Sequence, residues 1–192
     1  MPDIRAFIAL EIDEQTKQKI LHLLDTLKKS GADAKWLTEN QLHLTLKFLG
    51  NIEDNMTQKI SGVLSDISGS ARPFAINFSE TGAFPDLEHP RVICLGIGKG
   101  AEHLEALNRE IENSLEELGF KKEERPFKPH LTLGRVRSLK NLPNLIKTIK
   151  GKEKDLEPID NVKIDKLTLF KSRLDPGGAV YIPITRNALR KI

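Results

Sequence analysis

Apolar and polar residues alternate along the chain with two periods, and the switches between them lay out its elements. Residues 4–11 form a nearly unbroken apolar run, which predicts a buried strand. Asp13 then offers an N-cap, and Ile20, Leu24 and Leu27 recur at helical spacing until Ser30-Gly31 ends the helix. A short strand is expected over residues 35–37. Over residues 42–49 the period is two: Leu42, Leu44, Leu46 and Phe48 share one face, and His43, Thr45 and Lys47 share the other. A second helix carries Ile60, Val63, Leu64 and Ile67 on one stripe. Residues 74–78 alternate again, and residues 91–97 make another apolar strand. Leu104, Leu107, Ile111, Leu115 and Leu118 mark a third helix, which Gly119 stops. Residues 129–136 read as a strand with Leu131 and Leu133 opposed to His130 and Thr132. A short helix from Pro143 turns Leu142, Leu145, Ile146 and Ile149 inward. Finally, residues 162–170 are expected to pair with residues 179–184 across a turn at Asp175-Pro176-Gly177-Gly178.

Strands and helices mix without a regular βαβα order, and several strand pairs follow each other directly. That pattern predicts an α+β fold with antiparallel sheets. The 192 residues allow one compact domain, or two small lobes sharing a core, spanning 1–192. Lys150-Gly151-Lys152-Glu153-Lys154-Asp155 is expected to be a solvated, mobile loop.

Composition narrows the function classes. Hydrophobic residues at 39% and charged residues at 30% are those of a soluble globular protein. The net charge is only +3, from 30 basic and 27 acidic residues, so an anionic partner is permitted but not demanded; a protein that coats duplex nucleic acid carries a larger basic excess. A single cysteine, Cys94, excludes an intramolecular disulfide and a Cys-based zinc site. Within Val92-Ile93-Cys94-Leu95 it reads as a small core residue. The N-terminus lacks the basic start and apolar segment of a signal peptide, and no stretch has the length of a membrane span, so the expected location is the cytoplasm, away from membranes.

One repeat carries chemistry. His43-Leu44-Thr45-Leu46 recurs as His130-Leu131-Thr132-Leu133. A repeated tetrapeptide occurs by chance in about one chain in ten of this length, but one that begins at one of five histidines in only about one in a few hundred. Each copy sits in an expected strand, so each buries two leucines and presents an imidazole beside a hydroxyl. Two such strands related by a pseudo-twofold axis would face one cleft. In-line displacement at phosphorus needs a base on the attacking oxygen and an acid on the leaving one. Two histidines can be tuned to hold one neutral and one charged, and threonine hydroxyls can donate to the non-bridging oxygens. No metal is expected, because no further histidine or acidic residue shares these faces. His22, His89 and His103 are read as surface residues.

With these residues in place, the chain resembles the two-histidine phosphoesterases, and among them the RNA 2′,3′-cyclic phosphodiesterases, long called 2′-5′ RNA ligases. The resemblance runs from Arg5-Ala6-Phe7-Ile8-Ala9-Leu10, through residues 36–50 around the first motif, Gly82-Ala83-Phe84-Pro85 and Arg91-Val92-Ile93. It continues in Phe127-Lys128-Pro129-His130-Leu131-Thr132-Leu133-Gly134-Arg135 and closes on Phe170-Lys171-Ser172-Arg173-Leu174. It implies a bilobal α+β fold, two pseudo-twofold-related lobes of antiparallel sheet flanked by helices, with the active cleft between them. It also implies opening of a terminal 2′,3′-cyclic phosphate to a 2′-phosphate, and a weaker joining of RNA ends without ATP. Carried over by position, His43 is the proton donor and His130 the acceptor that activates water. Thr45 and Thr132 hold the phosphate, and Arg135 contacts it. Where many relatives have a tryptophan in the strand after the Arg-Val pair, this chain has Cys94.

Other residues fill in the picture. Arg135 falls outside strict alternation from His130, and Gly134 would allow a bulge that turns it inward. Lys47, in phase with His43 and Thr45, is expected to add positive potential at the phosphate. Arg125, Lys128, Arg137, Lys171 and Arg173 are further phosphate candidates, and Trp36, Phe84 and Tyr181 are candidates for base stacking. Aromatic residues at 5% suit a short RNA terminus better than a long groove; the expected partners are RNA 3′ termini, with tRNA fragments as one candidate. The absence of GxxxxGK[ST] argues against an ATP-dependent ligase, and no cofactor is expected. Nothing suggests an extended helical interface, so a monomer is expected. The competing readings are a cyclic phosphodiesterase for a small nucleotide and a non-catalytic RNA-binding module.

Overall fold

A computed structural model of the chain describes residues 3–152, 158–176 and 178–190. In chain order its elements are β1 (Ile4–Leu10), α1 (Glu14–Lys28), β2 (Ala34–Trp36), a 3₁₀ turn (Glu39–Gln41), β3 (Leu44–Ile52), α2 (Met56–Ser70), β4 (Phe74–Ile76), β5 (Phe78–Phe84), β6 (Val92–Ile97), α3 (Ala101–Glu116), β7 (His130–Val136), α4 (Leu142–Lys152), β8 (Val162–Ile164), β9 (Lys166–Asp175) and β10 (Gly178–Ala188). All strand pairs are antiparallel, as the α+β reading requires. They form one four-stranded sheet in the order β10-β9-β1-β3, a second in the order β2-β7-β6-β5, and a small pair β4-β8.

The segments β1-α1-β3-α2 and β6-α3-β7-α4 repeat the same β-α-β-α order, one in each large sheet. This is the internal duplication that the repeated tetrapeptide signalled. Each helix turns its apolar stripe onto a sheet. In α1 the stripe is Ile20, Leu23, Leu24 and Leu27; at its start the Asp13 carboxylate accepts from the Thr16 N–H at 2.8 Å and the Thr16 hydroxyl at 2.6 Å. Such a cap is worth about 1 kcal/mol. Ile8 and Leu44 of the first sheet, Ile93 and Leu131 of the second, and Leu24, Leu64, Ile111 and Leu145 of the four helices belong to one continuous core. Each side chain buried there contributes about 1.5–3 kcal/mol. Phe7, Ala9 and Phe170, with Tyr181 against them, make a separate cluster on the opposite face of the first sheet.

Three expectations need correction. The alternation expected over residues 74–78 is split between β4, which ends at Ile76, and β5, which begins at Phe78 and runs on to Phe84, where no strand was anticipated beyond Phe78. A register shift between Phe78 and Thr81 erases the two-residue period there. The C-terminal hairpin is β9 with β10; Val162–Ile164 is a separate strand that pairs with β4. Lys150, Gly151 and Lys152 belong to α4 rather than to a loop, and residues 153–155 and Gly177 of the expected turn lie outside the described residues. Among the described residues no helix is long and apolar enough to cross a membrane.

Candidate active site

Both motif strands break their period at the same place. In β3, Lys47 faces Ile8 and Thr45 faces Ala9, so Leu46 is an extra residue in the ladder. In β7, Gly134 faces Ile93 and Thr132 faces Cys94, so Leu133 is the extra residue. A bulge reverses which side the following side chains take. Cross-strand partners share a face, so Thr45, Ala9, Phe7 and Phe48 lie together, and Thr132, Cys94, Val92 and Arg135 lie together. The bulge thus brings Arg135 to the side of His130 and Thr132, as anticipated. Each freed bulge carbonyl is satisfied: Leu46 O accepts from the Asn108 side-chain amide at 2.9 Å, and Leu133 O accepts from the Leu37 N–H at 2.9 Å. Gly134 is needed for a different reason than anticipated. A Cβ there would lie 2.7 Å from the Trp36 ring, so glycine is what lets the indole lie against β7.

The same bulge overturns the reading of Lys47. Its ammonium is buried in the core, 2.6 Å from Glu112 Oε2 and 3.0 Å from the Lys121 carbonyl. It therefore cannot meet a phosphate in the cleft. Phe48, expected to face the core, takes the cleft side instead and is 59% exposed.

The two histidines are held alike and surrounded differently. His130 Nδ1 lies 2.7 Å from the Lys128 carbonyl; a carbonyl only accepts, so Nδ1 carries the hydrogen and Nε2 is free to act as a base. The Gln41 carbonyl, two residues before His43, acts on that ring as well, pulling its pKa up. The His43 ring is stacked on Phe7 at 4.9 Å, edge-on to Tyr181 at 5.2 Å and 6.0 Å from Phe170. Burial in this aromatic nest pushes its pKa down to about 4, against the opposing pull of the Gln41 carbonyl. His130, half-buried as His43 is, meets one aromatic ring among the described residues, Phe84, at 4.7 Å.

The two sheets meet where β3 lies against β7. Burial raises the Tyr181 pKa, and the positive charges of Arg135 and Arg5 pull it back. Arg135 of the second sheet is thus near enough to Tyr181 of the first, the ring that touches His43, for its charge to act on the phenol. Arg5, on the same face of β1 as Phe7, is a cleft cation that sequence reasoning did not single out. Among the other expected cations, Arg173 is held by Asp175 through two hydrogen bonds of 2.8 and 2.9 Å, while Arg125, Lys128, Arg137 and Lys171 are exposed. Cys94 is buried opposite Thr132, and burial raises its thiol pKa to about 11, so it is an inert wall. Among the described residues no three histidine, cysteine, aspartate or glutamate side chains gather as a metal site would need. A cavity of about 640 Å³ opens beside His43, walled by Trp36, Gln41, Phe170, Tyr181 and Arg186.

Known proteins resemble this chain over most of its length. The 2′-5′ RNA ligase superfamily model matches residues 16–176. A protein of Methanothermobacter thermautotrophicus named RNA 2′,3′-cyclic phosphodiesterase is 32% identical over 178 residues, covering 93% of this chain and 95% of that one. Its namesake in Thermotoga maritima is 35% identical over 183 residues, covering 93% and 91%. Among solved structures, TT0787 of Thermus thermophilus superposes with a TM-score of 0.78 at 23% identity, over 97% of this chain and 98% of that one. E. coli LigT complexed with 3′-AMP gives 0.76 at 23% identity, over 98% and 99%; both likenesses speak for the fold. The chain belongs to the 2′-5′ RNA ligase superfamily.

Proposed function

We propose that this protein opens 2′,3′-cyclic phosphate ends of RNA to 2′-phosphates, with His43 as general acid and His130 as general base. The observation that carries the reading is the pair of bulged strands. Each carries an imidazole and a threonine ahead of its bulge, the His130 ring is held by the Lys128 carbonyl, and the second bulge turns Arg135 to the face of Thr132. Water attacks phosphorus and gives its proton to His130 Nε2; the P–O3′ bond breaks, and O3′ takes a proton from His43. Thr45, Thr132 and Arg135 donate to the non-bridging oxygens as charge builds there. Burial favours the neutral form of His43, and an anionic phosphate beside it would raise its pKa, so that it could serve as an acid when substrate is bound. With a 5′-hydroxyl in place of water, the same steps join two ends through a 2′-5′ bond without ATP. The protein acts as a monomer on RNA 3′ termini, tRNA fragments among them, with residues 1–192 as one bilobal unit and neither metal nor cofactor.

The test presents an oligoribonucleotide ending in a 2′,3′-cyclic phosphate, with and without a chelator. The expected product is the 2′-phosphate, formed at the same rate in both, with a bell-shaped pH profile. His43→Ala and His130→Ala should each lower kcat by about 10²–10⁴-fold, and the double variant should lose little more than the worse single. A rate that collapses with chelator would mean a metal enzyme, and RNA binding without product would mean a binding module.

A further inference from the structure

The cavity beside His43 has no role in the steps above. His130 is not part of its wall, so it lies on the acid's side of phosphorus. In an in-line reaction that is the side of the leaving O3′, and hence of the nucleoside that carries it. At about 640 Å³ it has the size of a small-molecule site, enough for one nucleoside and too little for a duplex. Tyr181, Phe170 and Trp36 give it aromatic walls, and Trp36 also packs on the core.

Arg186 closes the far wall. Its strand register places it in one row with Thr168, Ala9 and Thr45, three strand spacings from Thr45, or about 14 Å between backbones. That is beyond the reacting phosphate but within one nucleotide of it once the arginine side chain is extended. The guanidinium is aimed: its Nε donates to Glu11 Oε1 at 2.7 Å, and the same oxygen accepts from the Thr168 hydroxyl at 2.6 Å, with Thr168 fully buried. Burial works against the Glu11 carboxylate, yet the Thr168 hydroxyl and Arg186 hold its pKa below the usual range. An ion pair this exposed contributes little to stability. The two terminal nitrogens of Arg186 have no partner among the described residues, and Lys35 faces the same cavity. A fixed guanidinium fork with its outer nitrogens free is suited to a phosphate.

We infer that the cavity holds the terminal nucleoside of the substrate and that Arg186 binds the phosphate linking that nucleoside to the rest of the RNA. The inference rests on the assignment of His43 to the leaving-group side. It makes the protein a reader of chain ends, which favours an RNA terminus over a free nucleoside cyclic phosphate.

Trp36 is the only tryptophan and lines the cavity, so its fluorescence reports occupancy. The protein is titrated, at fixed ionic strength, with adenosine 2′-monophosphate and with adenosine 2′,5′-bisphosphate, which adds a phosphate at the upstream position. The bisphosphate is expected to bind about tenfold tighter. Arg186→Gln should bring the two affinities within about twofold of each other, and Arg186→Lys, which keeps the charge, should retain part of the gap. Equal affinities in the unaltered protein, or a gap that survives Arg186→Gln, overturn the inference. The readout needs no turnover. Preference for the bisphosphate in a protein that opens no cyclic end refutes the reaction and leaves the subsite standing; turnover without preference refutes the subsite alone.

Discussion

The two halves of the molecule share a frame and differ in what surrounds it. Matching β3 to β7 through their bulges pairs Thr45 with Thr132, Lys47 with Gly134 and Phe48 with Arg135. The neighbouring strands then pair Phe7 with Val92, Ala9 with Cys94 and Phe170 with Phe84. Each histidine keeps one equivalent ring, Phe170 or Phe84, but only His43 has Phe7 and Tyr181 as well. Duplication supplies the common frame of the two motif strands, and substitutions around it give His43 a crowded aromatic setting in which burial lowers its pKa. Under the proposed mechanism, a symmetric frame would in this way run an asymmetric acid–base reaction.

The largest difference in energy lies just after the bulges. In the second half Gly134 makes room for Trp36; in the first, Lys47 reaches Glu112 of α3. Asn108, one turn before Glu112, holds the bulge carbonyl itself, so a single helix face fixes the strand. Glu112 Oε2 accepts from Lys47 and from the Glu123 N–H, while Oε1 has no partner among the described residues. Lys47→Met leaves that carboxylate buried and uncompensated and should cost about 3–5 kcal/mol in chemical denaturation. Lys47→Met with Glu112→Leu should recover most of the loss and turn over normally. If Lys47 held the phosphate, the double variant would regain stability and stay inactive.

The aromatic nest gives the next effect. Burial lowers the His43 pKa from 6.5 to about 4, so between these values the unfolded chain binds a proton that the folded one does not. Stability is therefore complete above pH 6.5, falls as pH drops toward 4, and loses no more from this group below that, about 3 kcal/mol in all. Phe7→Val makes the first half like the second. It should raise the His43 pKa toward 6.5, seen in the imidazole NMR titration, and flatten the acid slope of stability. A slope unchanged in this variant would place its origin elsewhere.

How far the sequence was legible follows from where the period holds. Up to the third residue of each motif the letters and the faces agree, and the repeat located both histidines and both threonines. Beyond the bulge they part. Leu46, Lys47 and Phe48 spell an alternation that the chain does not follow, because a partner 65 residues away makes a lysine acceptable inside while a phenylalanine is left outside. Polar-out patterning carries no information about such a partner. Arg135 was recovered because a glycine beside it and the family resemblance both pointed to a turn inward. Arg5 and Arg186 gave no local signal; only the order of strands across the first sheet brings them to the cleft and the cavity.

The smallest effects separate Phe48 from Arg135, the pair that occupies one position of the frame. Arg135→Gln should lower kcat/KM for hydrolysis about hundredfold, as removal of a donor to the developing charge does. Phe48 lies in a row with Phe7 and Phe170, 6.1 Å from the Phe7 ring, and forms the exposed end of that row next to β7. The cavity lies at the other end, over β10. If His43 serves the leaving O3′, as proposed, a ring at this place would face the entering group. Water needs no platform, but an incoming nucleoside gains about 1–3 kcal/mol from stacking. Phe48→Ala should therefore reduce 2′-5′ joining about tenfold while hydrolysis stays within about twofold, both measured on one cyclic-ended RNA with and without a 5′-hydroxyl acceptor. A fall in hydrolysis as deep as the fall in joining would place Phe48 in support of the phosphate rather than of the entering chain, and the two halves would then differ in charge but not in task.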